Sequence, residues 1–188
     1  MRKLFKTAVL TGALLLPALA VAGGGDVDRG HSAVNFKAQH FGAGYTWGRF
    51  NDFAGTVEMD DTYALQGMNV TVQATSVDTG IEKRDKHLRS PDFFEVDSYE
   101  TITFVSTKVE KVDDTTYNVT GDLSLHGVTK EYTVEVKRTG HGDLPAMMGG
   151  GTAVGWETSF QVSQKDHGMQ YDAIGDVVFL YVSLEVEA

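Results

Sequence analysis

Apolar side chains at every second position, in run after run from residue 32 onward, limit this chain to a sheet with one oily face. Val34, Phe36, Ala38 and His40 alternate with Asn35, Lys37 and Gln39, the period of a half-buried strand. A second run spans about 47–59, where Phe50, Phe53 and Gly55 mark a bend or bulge. Val70, Val72 and Ala74 alternate with Asn69, Thr71 and Gln73 in a third. Runs at 101–110, 115–126, 129–139, 152–163 and 176–187 bring the expected number to eight. Asp113-Asp114 and His126-Gly127 read as tight hairpin turns, the second with a glycine that tolerates positive φ. Eight mainly antiparallel strands with short links favour an up-and-down barrel, because closure removes exposed edges and encloses about one ligand's width. A two-sheet sandwich is the alternative. The glycine-rich stretch 148–155 reads as a loose loop.

One segment breaks the strand pattern. Residues 77–94 carry helical spacing and crowd Lys83, Arg84, Lys86 and Arg89 into a strongly acidic molecule. Thr79 followed by Glu82 reads as a capping box, and Ile81 and Leu88, seven residues apart, share the face turned toward the barrel. Ser90-Pro91 starts a second turn that delivers Phe93 and Phe94 to the apolar side. The short helix is thus an insertion between the third and fourth expected strands. Its basic cluster reads either as a solvated helix face or as an electropositive rim that orients a phosphate or polar head while an apolar tail goes inside.

The N-terminus belongs to a different class of segment. A positive stretch with Arg2, Lys3 and Lys6 precedes an apolar run over 7–20, and Ala20-Val21-Ala22 offers the small-x-small pattern of a signal-peptidase site. Residues 1–22 are therefore expected to be a cleaved export signal, too short to span a bilayer comfortably. Residues 23–188 are expected to form one domain, in the periplasm of a Gram-negative cell. Losing that segment removes three basic residues and no acid, leaving 13 Lys and Arg against 26 Asp and Glu. So acidic a surface repels nucleic acid and makes anionic lipid a poor partner for the surface at large. The chain has no Cys, so the core and sheet alone must stabilise it, and thiolate chemistry, iron–sulfur clusters and covalent haem are excluded.

No constellation announces catalysis. The six histidines, His31, His40, His87, His126, His141 and His167, form neither His-x-x-x-His nor His-Glu-x-x-His, so no metal is expected. His40 reads as a core histidine and His126 as a turn residue. Asp85 and His87 point apart on a helix and read as rim or surface residues. There is no nucleophile elbow, Walker loop or dinucleotide fingerprint. The last strand is unusual: Val177, Val178, Phe179, Leu180, Tyr181 and Val182 are apolar on both faces. One face should line the interior; the other needs a cover, from a helix, the N-terminal segment or a second subunit in a homodimer.

Several ordered blocks resemble one family. Ser76-Val77-Asp78-Thr79, Arg84-Asp85-Lys86-His87-Leu88-Arg89-Ser90 and the run from Gly121 through Leu123, His126 and Gly127 to Lys130 are similar to the signature blocks of the YceI-like, polyisoprenoid-binding family. His31-Ser32-Ala33-Val34-Asn35-Phe36, Gln39-His40-Phe41-Gly42 and Phe50-Asn51-Asp52-Phe53-Ala54-Gly55-Thr56 match its first two strands. The resemblance implies a lipocalin-like eight-stranded barrel that holds a long isoprenoid, such as a polyprenyl phosphate or an isoprenoid quinone, for transport or storage, often as a dimer. It implies no enzyme activity and no cofactor apart from that ligand. The chain departs from the family at Tyr99-Glu100, where Pro often follows the Tyr, and at 140–151. Strand parity places Val34, Phe36, Ala38, Phe50, Val72, Leu88, Phe93, Phe94, Phe104, Val119, Leu123 and Phe160 against the apolar tail, and Arg84 or Arg89 at the head group. Two other readings stand beside this one: a structural, stress-related barrel with a filled core, and an enzyme acting on a bound lipid through His40 or His87.

Overall fold

A computed structural model describes residues 23–188; the export-signal reading of 1–22 lies outside them. The alternation in sequence becomes eleven strands: β1 (Gly24–Asp26), β2 (Ala33–His40), β3 (Gly44–Phe50), β4 (Phe53–Met59), β5 (Leu65–Gln73), β6 (Val77–Asp78), β7 (Thr101–Lys111), β8 (Thr116–Leu125), β9 (Val128–Asp143), β10 (Thr152–Ser163) and β11 (Ile174–Glu187), with one helix, α1 (Glu82–Leu88), between β6 and β7. Every pairing is antiparallel. The order across the sheet is β1-β4-β5-β7-β8-β9-β10-β11-β2-β3-β6. The sheet is curled and its ladder is open, which corrects the closed eight-stranded barrel expected from the sequence.

The physical cause is the bend at Asn51-Asp52. The single strand expected over 47–59 breaks there, and its halves β3 and β4 lie toward opposite ends of the ladder. Buried positions are even up to Phe50 and odd from Phe53 onward, so both aromatics face inward across the break. The Arg29 guanidinium donates to Asp52 at 2.8 Å and the Asn51 amide to Asp78 at 3.0 Å, holding the corner. Two short strands, β1 and β6, account for the rest of the difference in number.

The N-terminal segment closes one end of the curl. β1 pairs with β4, then Val27 bridges Val186 and the Asp28 N–H donates to the Glu185 carbonyl at 2.8 Å. A Cβ at Gly25 would lie 2.2 Å from the Glu187 carbonyl oxygen, so only glycine lets this strand pass so close to β11. Beneath it Val57, Met59, Tyr117, Val119, Val154, Trp156 and Val186 are packed solid. The β8–β9 turn is as expected: His126 and Gly127 both have positive φ, 51° and 73°, the signature of a type I′ hairpin.

Three local readings are corrected. α1 runs only over Glu82–Leu88, with Ile81 at its N-cap and no side-chain cap; Thr79 bonds to Asp85 instead of Glu82. The stretch after Pro91 is a series of turns and not helix. The glycine-rich loop lies at 144–151 and not 148–155, because β9 runs to Asp143 and β10 already starts at Thr152. Among the described residues, no helix is long and apolar enough to cross a membrane.

Candidate functional site

Opposite the plugged end, the curl surrounds a cavity of about 620 Å³, inside the ~300–1,000 Å³ range of small-molecule sites. Its wall is built by strand alternation: Val34, Phe36 and Ala38 from β2, Phe50 from β3, Val72 from β5, Phe104 from β7, Leu123 from β8 and Phe160 from β10 all line it. α1 and the turns after it add Leu88, Phe93 and Phe94. These eleven expected tail positions therefore share one space. Val119 does not: it is fully buried in the closed-end core and is absent from the cavity wall. Parity put its side chain on the inner face correctly, but at a height where the interior is already solid.

The two arginines separate. Arg84 lines the mouth, where Nε donates to Thr79 Oγ1 at 2.6 Å and Nη2 to the Thr79 carbonyl at 2.8 Å. Its Nη1 has no protein partner among the described residues. Arg89 is off the cavity and spends its guanidinium on the carbonyls of Thr75 (2.7 Å) and Val77 (3.0 Å). It stitches the helix to the sheet and stands off the cavity wall. Asp85, expected at the surface, is buried and accepts hydrogen bonds from the Thr79 N–H and hydroxyl. This fixes the loop that carries α1.

Several wall residues are missing from the expected tail set. Val178, Leu180, Val182 and Leu184 present the inner face of β11, and Met169 and Tyr171 come from the turn before it. The doubly apolar last strand was the available signal, but it did not say which parity faces in. His87 Nε2 donates to the Asp92 carboxylate at 2.8 Å and its ring meets Phe93 and Tyr171 edge-on, at 5.1 and 5.2 Å, which ties α1 to that turn across the mouth. His40, read as a core residue, is exposed at the rim because β2 ends there and projects past the wall.

The outer face of β11 is partly covered by its own neighbouring hairpin. Phe179 packs on Tyr45 and Tyr181 on Trp47, with ring centroids 5.9 and 5.4 Å apart. Lys37 Nζ lies 4.9 to 5.4 Å from all four rings, a cation–π arrangement. At the plugged end, Asp28, His31 and Glu185 bring ligand atoms within 4.8 Å of one another on the outer surface, away from the cavity.

A satisfied histidine holds the β8–β9 turn against the segment between β10 and β11. His167 is fully buried, bonding the Val128 carbonyl at 3.1 Å and the Tyr132 hydroxyl at 3.1 Å. Burial pushes its pKa below the ordinary 6.5, while the Asp28 carboxylate beside exposed His31 pulls that residue's pKa up. A depressed histidine pKa means the unfolded chain takes up a proton that the native state refuses. The contribution is present above 6.5 and is lost as pH falls from there through the depressed native pKa. Titration followed by NMR is therefore expected to show His167 below 6.5 and His31 above it; the reverse order would contradict this packing.

A profile of the YceI-like domain matches residues 26–187. Protein YceI of Shigella flexneri is 43% identical over 148 residues, 78% of this chain and 75% of that protein, and Protein YceI of Salmonella arizonae is 40% identical over the same shares. Among solved structures, Burkholderia cenocepacia BcnA superposes with a TM-score of 0.75 at 22% identity, covering 85% of this chain and 99% of that one. A polyisoprenoid binding domain from Saccharophagus degradans gives 0.68 at 19% identity, covering 87% and 97%. At these identities the two structures speak for the fold.

Proposed function

The chain belongs to the YceI-like family, and on that premise we propose that it is a lipid-binding protein that holds a long isoprenoid chain, of the polyprenyl phosphate or isoprenoid quinone type, inside its curled sheet. The observation that carries the reading is the 620 Å³ apolar cavity, closed by β1 at one end and open beside α1 at the other. The likeness to the polyisoprenoid binding domain of Saccharophagus degradans supports the ligand class. A buried methylene contributes about 0.8 kcal/mol, so a few isoprene units supply useful affinity without any elaborate polar site. Residues 1–22 support a role in the periplasm, where such a protein would carry or store an amphiphile. A binding role also fits the rim better than a reaction does, since His87 is engaged by Asp92 and two aromatic rings.

Arg84 is the head-group residue in this reading, because it stands at the mouth with Nη1 free of any partner among the described residues. Native mass spectrometry of gently purified protein is expected to find a long-chain lipid bound; protein that is empty, and that also ignores added prenyl phosphates and quinones, would defeat the proposal. Arg84→Gln is expected to weaken a prenyl phosphate by about tenfold, ~1.4 kcal/mol, and to leave the corresponding prenyl alcohol almost unchanged. Equal losses for both would remove Arg84 from the head group.

A further inference from the structure

We propose that the cavity mouth is also a membrane-docking edge, with Phe41 and Ile81 entering a lipid surface while Lys83 and Lys86 meet its phosphates. The proposal rests on the lipid-binding reading and adds where the cargo is collected. Phe41 is 73% exposed and Ile81 53% exposed, yet both line the open end of the cavity. A water-facing rim gains nothing from two such side chains; a rim that meets lipid does. Phe41 is held out by the fold: it occupies the β2–β3 tip at φ 47°, and its N–H is fastened to the Ala173 carbonyl at 2.8 Å. A bulky residue at positive φ is a strained choice, and this one keeps the ring at the outermost point.

The surroundings fit a bilayer in depth. Behind Phe41 on the outer face of the same hairpin come Tyr45 and Trp47, 48% and 55% exposed. Tyr45 pairs with Gln39 and Trp47 with Lys37, so at ~3.3 Å per residue they stand roughly 7 and 13 Å of strand behind Phe41. Tyr and Trp favour the interfacial layer of a membrane, so Tyr45 is placed to enter the head groups with Trp47 at their outer margin. Lys83 and Lys86, three apart on exposed helix, supply the charge, and Asp85 between them is buried against Thr79 and does not offset them at the surface. Exposed Glu82 and Asp172 do oppose them, as does the acidic remainder of the molecule. That keeps the contact edge-on and confined to this rim. Docked in this way, the cavity opens straight into the acyl region, and a chain can slide between bilayer and protein without crossing water.

Flotation with vesicles of phosphatidylcholine and phosphatidylglycerol tests the proposal. The wild-type chain is expected to float with them, less well with phosphatidylcholine alone or at high salt, and with a blue shift in Trp emission, since Trp156 is already buried and Trp47 is the reporter. The double substitution Phe41→Ser with Ile81→Ser is expected to lower partitioning at least tenfold. Equal flotation of that variant, or no flotation of the wild type, overturns the proposal. So does a dimer that the same substitutions convert to monomer without any vesicle binding, which would make the rim a subunit contact. Phe104→Asp separates the two readings: an emptied protein that still floats supports docking independently, whereas a ligand-filled wild type that never floats sinks docking and leaves the carrier intact.

Discussion

Phe104→Asp is expected to abolish long-chain ligand retention, whereas Val119→Ala, two strand pairs closer to the plug, leaves it unchanged. Phe104 pairs with Val70 on one side and Leu123 on the other, and packs against both the closed-end core and the cluster around Leu123 and Met169. It thus stands midway along the cavity, where any long chain must pass. A carboxylate at that height either stays charged beside hydrocarbon or draws in water that the chain must displace. Either costs at least ~4 kcal/mol, about a thousandfold in affinity. Val119 is fully buried but off the cavity wall. Removing its two methyls should cost about 2 kcal/mol of stability and lower Tm by roughly 4–8 °C, with the lipid still bound. Mass spectrometry of bound lipid and thermal melting on both variants check the pair. If Phe104→Asp does not fold, Leu180→Asn in β11 puts the same question to the opposite wall. Ligand retained in a folded cavity variant, or lost with Val119→Ala, would contradict the tail path.

That contrast also shows what the sequence could and could not reveal. A period of two tells which face a side chain takes, and it placed Val34, Phe36, Ala38, Val72, Phe104 and Phe160 on the inner face where they are found. It carries no height. Val119 and Leu123 have identical parity on β8, but β1 plugs one end and only the far one is hollow, a consequence of contacts between residues more than a hundred positions apart. The strand number failed for a related reason. Phe50 and Phe53 signalled the bend, yet nothing local says that the chain leaves one edge of the sheet there and joins the other. The same limit applies on the helix. Arg84 and Arg89 belong to one basic cluster, and only the fold decides that Thr79 holds the first at the mouth while the carbonyls of Thr75 and Val77 take the second away from it. The capping box was misread because Asp85, six residues on, outcompetes Glu82 for Thr79 by being buried beside it.

Asp85→Ala follows from that burial, and its effect should reach from stability to ligand exchange. The carboxylate takes two bonds from Thr79, one from the backbone N–H and one from the hydroxyl, and the same hydroxyl receives Arg84 Nε. Substitution strands two part-buried donors, at about 1–3 kcal/mol each, and leaves a void under the helix. A loss of about 3 kcal/mol is expected, or roughly 6–12 °C in Tm. Asp85→Asn keeps an oxygen that can accept from Thr79 and should recover more than half of it. The functional effect comes from position. α1 has only seven residues, too few to hold a helix unaided, and beside the Arg89 clasp and the His87 contacts with Asp92, Phe93 and Tyr171 it is this network that seats it over the mouth. With Asp85 gone, proteolysis is expected to begin within 79–90, and a bound lipid should leave several-fold faster even at temperatures well below Tm. A variant that loses stability but keeps the wild-type release rate and cleavage pattern would mean that the helix does not gate the cavity.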